Sequence, residues 1–401
     1  MTKTDLGEAV VDHFTKGGVD DPTELYERLF TEDPVLRFPL DGGSWVVTSF
    51  DLATSVLADS EHFKRGDAAE LNGMAKDVEE LRVRMVLQDD PAHARLRGLV
   101  NRAFTPRAVS KLRDEAVAVA RRLVAAVHER GTMSVPQDFS YPFTVDLIAT
   151  KLGIPLEDGP KIIEWTAAKL ARTQSDAAVR NAQDAAAEMT EYLQRYAQAA
   201  DGEGSEGIIK ALAQAEVDGD RLSKVELTAV CWELVSAGHE TTANMIPNAL
   251  YTLLRHPEQL ELVRADRSLI PGAVEECLRF EPPLQLAHAY TAASDVEVGG
   301  TQIAAGERVR VCLAAANRDP AVFADPNRFD VTRANSRQHL AFSYGSHFCI
   351  GAALARMEIA VALDELLHLP DLALADPPAE WMPMGLRILK NLDVEWSNAG
   401  T

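Results

Sequence analysis

A long apolar segment that opens on a helix-start signal constrains this chain more than any other feature. Ser223-x-x-Glu226 has the form of a capping box, in which each side chain accepts from the other residue's backbone N–H. Beyond it the pattern predicts one helix through Leu250 and Leu254, stopping before Pro257. That is roughly thirty residues, or about 45 Å. Val230, Leu234, Val235, Ala237, Met245, Ile246 and Leu250 cover much of its circumference. A surface helix keeps one polar face, so this helix is predicted to be central and buried on several sides. Pro247 cannot donate a hydrogen bond to residue 243, which predicts a kink there.

The other segments supply the packing partners such a helix needs. Short helical patterns at 22–32 and 52–57 flank a Val-rich extended stretch at 44–49. Charges dominate 63–88, which reads as a loop with one short helix. Pro91 opens a helix with Leu96, Leu99 and Val100 at helical spacing and Asp89 or Asp90 as its cap. A second helix is predicted over 106–130, with Val109, Leu112, Ala116, Ala120 and Val124 on one face and Gly131 closing it. Residues 138–152 fit helix or strand; helices follow at 156–173 and 176–200, with a surface link at 201–207. After the central helix come a helix at 271–280 and extended stretches at 295–298, 301–303 and 309–312, with Gly299-Gly300 as a hairpin turn. A Pro- and Asp-rich stretch, 319–331, leads to the segment 342–351, one more helix to about 367, and short paired strands. Plentiful Ala and Leu with only 6% aromatic residues agree with a helical bulk. The expectation is a mainly α chain with a minor β portion, forming a single domain over 1–401.

Charge and cysteine usage narrow the class of function. Forty Lys and Arg against 61 Asp and Glu leave a net charge of −21, whose field opposes binding to nucleic acid. Four scattered cysteines, Cys231, Cys277, Cys312 and Cys349, are too few for a secreted disulfide framework. The first residues contain no apolar run of signal type, and no stretch reaches the ~18 apolar residues of a membrane span. A soluble cytoplasmic protein without a membrane partner is expected.

Chemistry concentrates in two places. In Phe342-Ser-Tyr-Gly345-Ser-His347-Phe-Cys349-Ile-Gly351, a cysteine lies between glycines just ahead of an Ala-rich helix. Helix N-terminal N–H groups lower the pKa of such a thiol, and glycines let backbone approach a flat ligand. A small buried cysteine is the commoner fate, and spacing alone favours it. Zinc would need four ligands, and His347-x-Cys349 has no second pair nearby. The central helix carries Ala237-Gly238-His239-Glu240-Thr241-Thr242. Gly238 costs roughly 1 kcal/mol against Ala, and Glu240 is costly to bury unless paired or protonated. Either Glu240 faces solvent and Thr241 bonds back to its own helix, or the helix is locally widened over a ligand.

Phe342, Gly345, His347, Cys349 and Gly351 match F-x-x-G-x-H-x-C-x-G, which resembles the haem-binding signature of the cytochrome P450 family. A position commonly Gly in that loop is Ser343. The resemblance implies haem b, one per chain, with Cys349 as axial thiolate and the opposite axial position left for dioxygen. It implies that Phe342 packs on the proximal haem face and that His347 reaches a propionate. The central-helix motif is similar to the family's A-G-x-(D/E)-T, implying a dioxygen groove at Ala237 and Gly238. Thr241 would then donate a hydrogen bond to activated dioxygen, and Glu240 would relay protons. His93 and Arg97 resemble the H-x-x-x-R propionate element, while Arg95 points elsewhere. Glu276-x-x-Arg279 resembles a buried structural pair that Arg328, in Pro326-Asn-Arg-Phe329, would complete. One departure stands out: where the family usually has a propionate-binding Arg, five residues before Asp295, this chain has Tyr290. A tyrosine hydroxyl could give one weaker, neutral hydrogen bond.

The resemblance implies a soluble bacterial monooxygenase of the ferredoxin-dependent class. It would hydroxylate or epoxidise a largely apolar small molecule, such as a secondary metabolite, with dioxygen. Two electrons would come from NAD(P)H through a ferredoxin reductase and a ferredoxin. The thiolate assists O–O cleavage. The pocket expected from family-like positions comprises Val86, Leu87, Leu234, Ala237, Leu284, Ala287, Ala289 and Met384, mostly apolar. His288 is placed either toward the propionates or toward substrate. A monomer is expected, with Arg102, Arg107, Lys111, Arg113 and Arg356 as a positive patch for an acidic electron donor. Peroxide-driven oxidation, phenol coupling, ring closure, and a haem-binding sensor without turnover are the alternatives.

Overall fold

The computed structural model describes residues 6, 9–10, 12–14, 20–38, 43–65, 79–101, 109–110, 112–171, 175–199, 207–216, 219–376, 379–382 and 386–397. The central helix is Lys224–Arg255, 32 residues long. Its capping box forms as predicted: Glu226 N–H donates to Ser223 Oγ at 3.2 Å, and Ser223 N–H donates to Glu226 Oε2 at 2.8 Å. The helix runs unbroken through Pro247.

Two apolar cores share this helix. Its first half, Leu227 to Val235, packs with Ile162 and Trp165 of helix Gly159–Ala171 and with Met189 and Leu193 of helix Asp176–Ala199. Its second half, Met245 to Leu253, packs with helix Ile270–Phe280, helix Ala352–Leu366 and Phe139, Phe143 and Leu147. The segment 138–152, readable as either helix or strand, is helical: a wide turn Val135–Ser140 feeds helix Tyr141–Leu152, which Gly153 ends at φ 79°. Burial on nearly all sides follows from an apolar circumference, because no single neighbour can cover it.

The β portion lies to one side. A five-stranded sheet has the order Val35–Phe38, Ser44–Val47, Arg308–Val311, Tyr290–Ala292 and Phe63–Lys64. The pairing of Ser44–Val47 with Arg308–Val311 is parallel, and the other pairings are antiparallel. Gly299 and Gly300, at φ 57° and 81°, turn the hairpin Val296–Val298/Thr301–Ile303. A Cβ on Gly299 would lie 2.6 Å from Leu52 Cδ1, so conformation and space both select glycine. Helix Ala92–Asn101 starts where Asp90 Oδ1 accepts from Ala94 N–H at 3.1 Å, identifying Asp90 as the capping side chain. The fold is mainly α with minor β, and among the described residues no helix is long and apolar enough to cross a membrane.

Candidate active site

The cysteine loop is held by its own backbone. Cys349 N–H donates to Phe342 O at 2.9 Å, and Phe348 N–H donates to Gly345 O at 3.1 Å. Gly345 has φ 70°, and a Cβ there would meet Leu57 O at 2.5 Å. Ser343 also has a left-handed φ, 64°, which explains why glycine suits this position; the serine bears strain of about 1 kcal/mol. Phe342 is buried against the second core and carries the Arg356 guanidinium 4.5 Å from its ring centroid. The thiol of Cys349 is raised above its ordinary pKa, not lowered as helix N–H groups alone would predict. Burial is the dominant cause, and the Gly351 N–H, Arg97 and Arg356 offset it only in part. A metal reverses that balance, since a coordinating thiol is deprotonated outright.

The central helix presents Ala237 open to an interior cleft, with Gly238 and Thr241 half-buried beside it. Residues 237–241 lie within the continuous helix, and a Cβ on Gly238 would meet Ile148 Cδ1 at 3.4 Å, an ordinary contact distance, so packing there does not require glycine. Thr241 Oγ1 donates to Ala237 O at 2.9 Å. Glu240 does not face solvent; it is 4% exposed, accepts from Lys169 Nζ at 2.8 Å through Oε2, and lies 3.4 Å from Ser236 Oγ through Oε1. Lys169 also contacts Ser236. Its helix, Gly159–Ala171, thereby reaches over the central helix, a contact that no local sequence signal announces. Glu233, one turn before Ala237 on the same face, accepts from Val86 N–H at 3.3 Å.

At the other end of the cleft, His93 and His347 stack with centroids 4.1 Å apart. His93 is buried, with Nδ1 3.4 Å from Asp90 Oδ1 and Nε2 unpartnered. Arg97 Nη2 donates to Phe348 O, and its charge acts on both Cys349 and Glu233. Arg97 thus lies within electrostatic reach of the thiol and of Glu233 on the central helix. Tyr290 is buried beside Arg65, a residue the sequence reading passed over. Its only sequence signal is a charge after Phe63-Lys64, indistinguishable from solvated decoration. Strand pairing, Lys64 opposite Thr291, brings it to Tyr290. His288 is accessible in the cleft yet enclosed by protein. Enclosure first, then Arg65, Arg84, Arg310 and Lys169, holds it well below its ordinary pKa.

The structural ion pair is present, but its third member is corrected. Glu276 and Arg279 are both fully buried, joined by two 2.8 Å hydrogen bonds. Glu276 Oε1 also accepts from Arg333 Nε at 3.1 Å and from Asp330 N–H at 3.0 Å. Arg328 points outward, 65% exposed and 3.7 Å from Asp330; only its carbonyl joins, accepting from Arg279 and Arg333. Arg279 also donates to Asn317 O and Pro326 O, and Asn317 Oδ1 accepts from Leu340 N–H, two residues before Phe342. The clamp thus leads into the cysteine loop.

Of the expected pocket residues, Ala237 and His288 open to the cleft, and Val86 and Leu284 are half-buried. Leu87, Leu234, Ala287 and Ala289 are buried in packing contacts. Ala287 and Ala289 alternate with His288 along an extended segment and so face the other way, and Leu234 points into the first core. Met384 lies outside the described residues, as do Arg102, Arg107 and Lys111. Arg113 is exposed, whereas Arg356 is committed to Glu275 at 2.8 and 3.1 Å.

These residues fit a haem. Among the described residues Arg65 Nε and Nη1 are buried donors without partners, and His93 Nε2, which donates in its Nε2–H tautomer, is likewise unpartnered, as the carboxylates of a haem require. Among the described residues no group of three or more His, Cys, Asp or Glu could hold a bare metal ion, whereas a porphyrin iron needs a single protein thiolate. Over residues 160–376 the chain matches the family described as cytochrome P450. It is 40% identical over 385 residues to the cytochrome P450 monooxygenase PikC of Streptomyces venezuelae, covering 94% of this chain and 91% of that protein. It is 35% identical over 379 residues to the vitamin D(3) 25-hydroxylase of Pseudonocardia autotrophica, covering 94% and 93%. Its fold matches P450BioI, crystallised with hexadec-9Z-enoic acid ligated acyl carrier protein, at a TM-score of 0.87 and 34% identity over 94% of this chain and 98% of that one. With thiol, helix motif and orphaned donors around one cleft, the chain belongs to the cytochrome P450 family of haem-thiolate monooxygenases.

Proposed function

We propose that this protein is a ferredoxin-dependent monooxygenase in which Cys349 ligates haem b and Glu240 and Thr241 manage protons for oxygen insertion into a largely apolar small molecule. The observation that carries the reading is the exposure of Ala237, with Thr241 half-buried one turn on, in an otherwise buried central helix, together with an Arg97 whose charge reaches both Cys349 and Glu233, one turn before Ala237. Haem, when bound, supplies dioxygen activation by two successive electrons. His93, Arg97 and His347 would hold its carboxylate end, and the Gly351 N–H faces the Cys349 sulfur.

Lys169 Nζ donates to Glu240 Oε2 at 2.8 Å and Ser236 Oγ lies 3.4 Å from Oε1, a chain of polar groups through which Glu240 would pass protons. Thr241 Oγ1 bonds to Ala237 O at rest; a rotation about its side chain frees the hydroxyl to donate into the cleft. Ala237 leaves room there that a larger side chain would fill. The named activities of relatives, among them a vitamin D(3) hydroxylase, support a lipophilic substrate. Glu233 and His288 add polar contacts at the cleft wall. Exposed Phe348, Tyr344 and Arg113 support electron entry from a separate acidic donor on the cysteine-loop side.

The test is spectroscopic. Reduced protein treated with carbon monoxide should show the strongly red-shifted band of thiolate ligation, and Cys349→Ser should lose it entirely. Retention of that band by the variant would overturn the ligand assignment. Absence of NAD(P)H-linked product with ferredoxin and reductase, for a compound that shifts the iron spin state, would overturn the electron route.

A further inference from the structure

We infer that Arg65 is the cationic partner of a haem propionate in this chain, seated by Tyr290 and presenting its Nε–Nη1 edge to the carboxylate. The inference rests on the haem reading above and adds a residue that reading does not contain. Arg65 is 2% exposed, and burying a guanidinium is strongly unfavourable unless an anion or several acceptors receive it. Only part of it is received by the protein. Nη2 donates to Tyr290 Oη at 2.8 Å, and the guanidinium carbon lies 4.0 Å from the Tyr290 ring centroid. Among the described residues Nε and Nη1 have no hydrogen-bond partner. The Asp89 carboxylate accepts instead from the Arg65 backbone N–H, at 3.0 and 3.1 Å.

The neighbours are the right ones: Tyr290, on which the Arg65 guanidinium sits, lines one recess with His93 and His347, and the Arg65 charge acts on both histidines. His93 Nε2 is itself buried and unpartnered, a donor in its Nε2–H tautomer. Unmet donors beside such a recess specify an anion, and a planar fork specifies a carboxylate. Tyr290 then has a different role from the weak replacement donor that the sequence suggests. Its ring and hydroxyl orient Arg65, so the guanidinium reaches the site from strand Phe63–Lys64 while position 290 provides the platform.

The test uses purified holoenzyme. Arg65→Leu should release haem to excess apomyoglobin about tenfold faster or more, the loss of one charge-assisted hydrogen-bonded pair. Its resonance Raman propionate-bending band should move toward that of a less hydrogen-bonded propionate, with the thiolate carbon monoxide band retained. Arg65→Lys, which keeps the charge and loses the fork, should fall between wild type and Arg65→Leu. Adding Tyr290→Arg to Arg65→Leu should restore haem retention. An unmoved propionate band in both Arg65→Leu and Arg65→Lys overturns the inference. If Arg65→Leu does not fold, the Arg65→Lys band alone decides. Failure of the haem-thiolate reading would appear separately, as a wild-type protein without the thiolate band.

Discussion

Two buried ionic clusters in this molecule are built from the same residue types and are opposite in completeness. Around Glu276, every charged group is answered: Arg279 makes two hydrogen bonds to the carboxylate and further ones to backbone carbonyls, and Arg333 and the Asp330 N–H fill the remaining lone pairs. Around Arg65 and His93, donors are buried and unanswered. A saturated network does its work within the fold, because nothing is left over for a ligand. An unsaturated one is tolerable only if something else completes it.

Breaking the saturated side should have the largest effect. Glu276→Ala leaves two buried guanidinium groups without their anion and should cost about 3–5 kcal/mol, read as lost soluble yield and a lower melting temperature. Within the same cluster, Arg333→Ala should cost about 1.5–3 kcal/mol in chemical denaturation, whereas Arg328→Ala should stay within about 0.5 kcal/mol. Equal effects would restore Arg328 as the third member.

Acid sharpens the comparison next. His13 and His239 are buried and held neutral, with pKa values lowered to about 4 and about 3, chiefly by burial. Unfolded, each would titrate near 6.5, so between that value and the folded one the unfolded chain binds more protons. Stability from these groups is therefore present above about pH 6.5 and declines as the pH falls toward 4, by about 2 kcal/mol per histidine between pH 7 and 5. Melting curves across that range should show the decline, and His239→Gln should flatten it. A small effect on the fold belongs to the unsaturated side. His93→Gln should change unfolding by under about 1 kcal/mol, since its hydrogen bond to Asp90 is long, at 3.4 Å, yet should speed haem loss measurably.

Much of the site was legible where chemistry depends on local spacing. Cys349 sits in a loop whose conformation Gly345 permits, and Ala237 and Thr241, four apart, must share one helix face once the helix is recognised. Glu276 and Arg279, three apart on a helix, meet for the same reason. What could not be read were partners from distant segments. Lys169 on Glu240, Arg333 rather than Arg328 on Glu276, and Arg65 on Tyr290 each depend on how separately formed elements pack. The burial of Leu87, Leu234, Ala287 and Ala289 was not legible either, because an apolar residue near a cleft is equally suited to the core beside it.

The sequence by itself determined the central helix, with its cap and apolar girth, and the cysteine loop that ends at a helix start. Both follow from short-range rules of hydrogen bonding, backbone conformation and periodicity. Only the tertiary structure decided which buried charges are completed by the protein and which await a ligand. Completion depends on distances between groups hundreds of residues apart, such as Arg65 and Tyr290, and no local pattern encodes them.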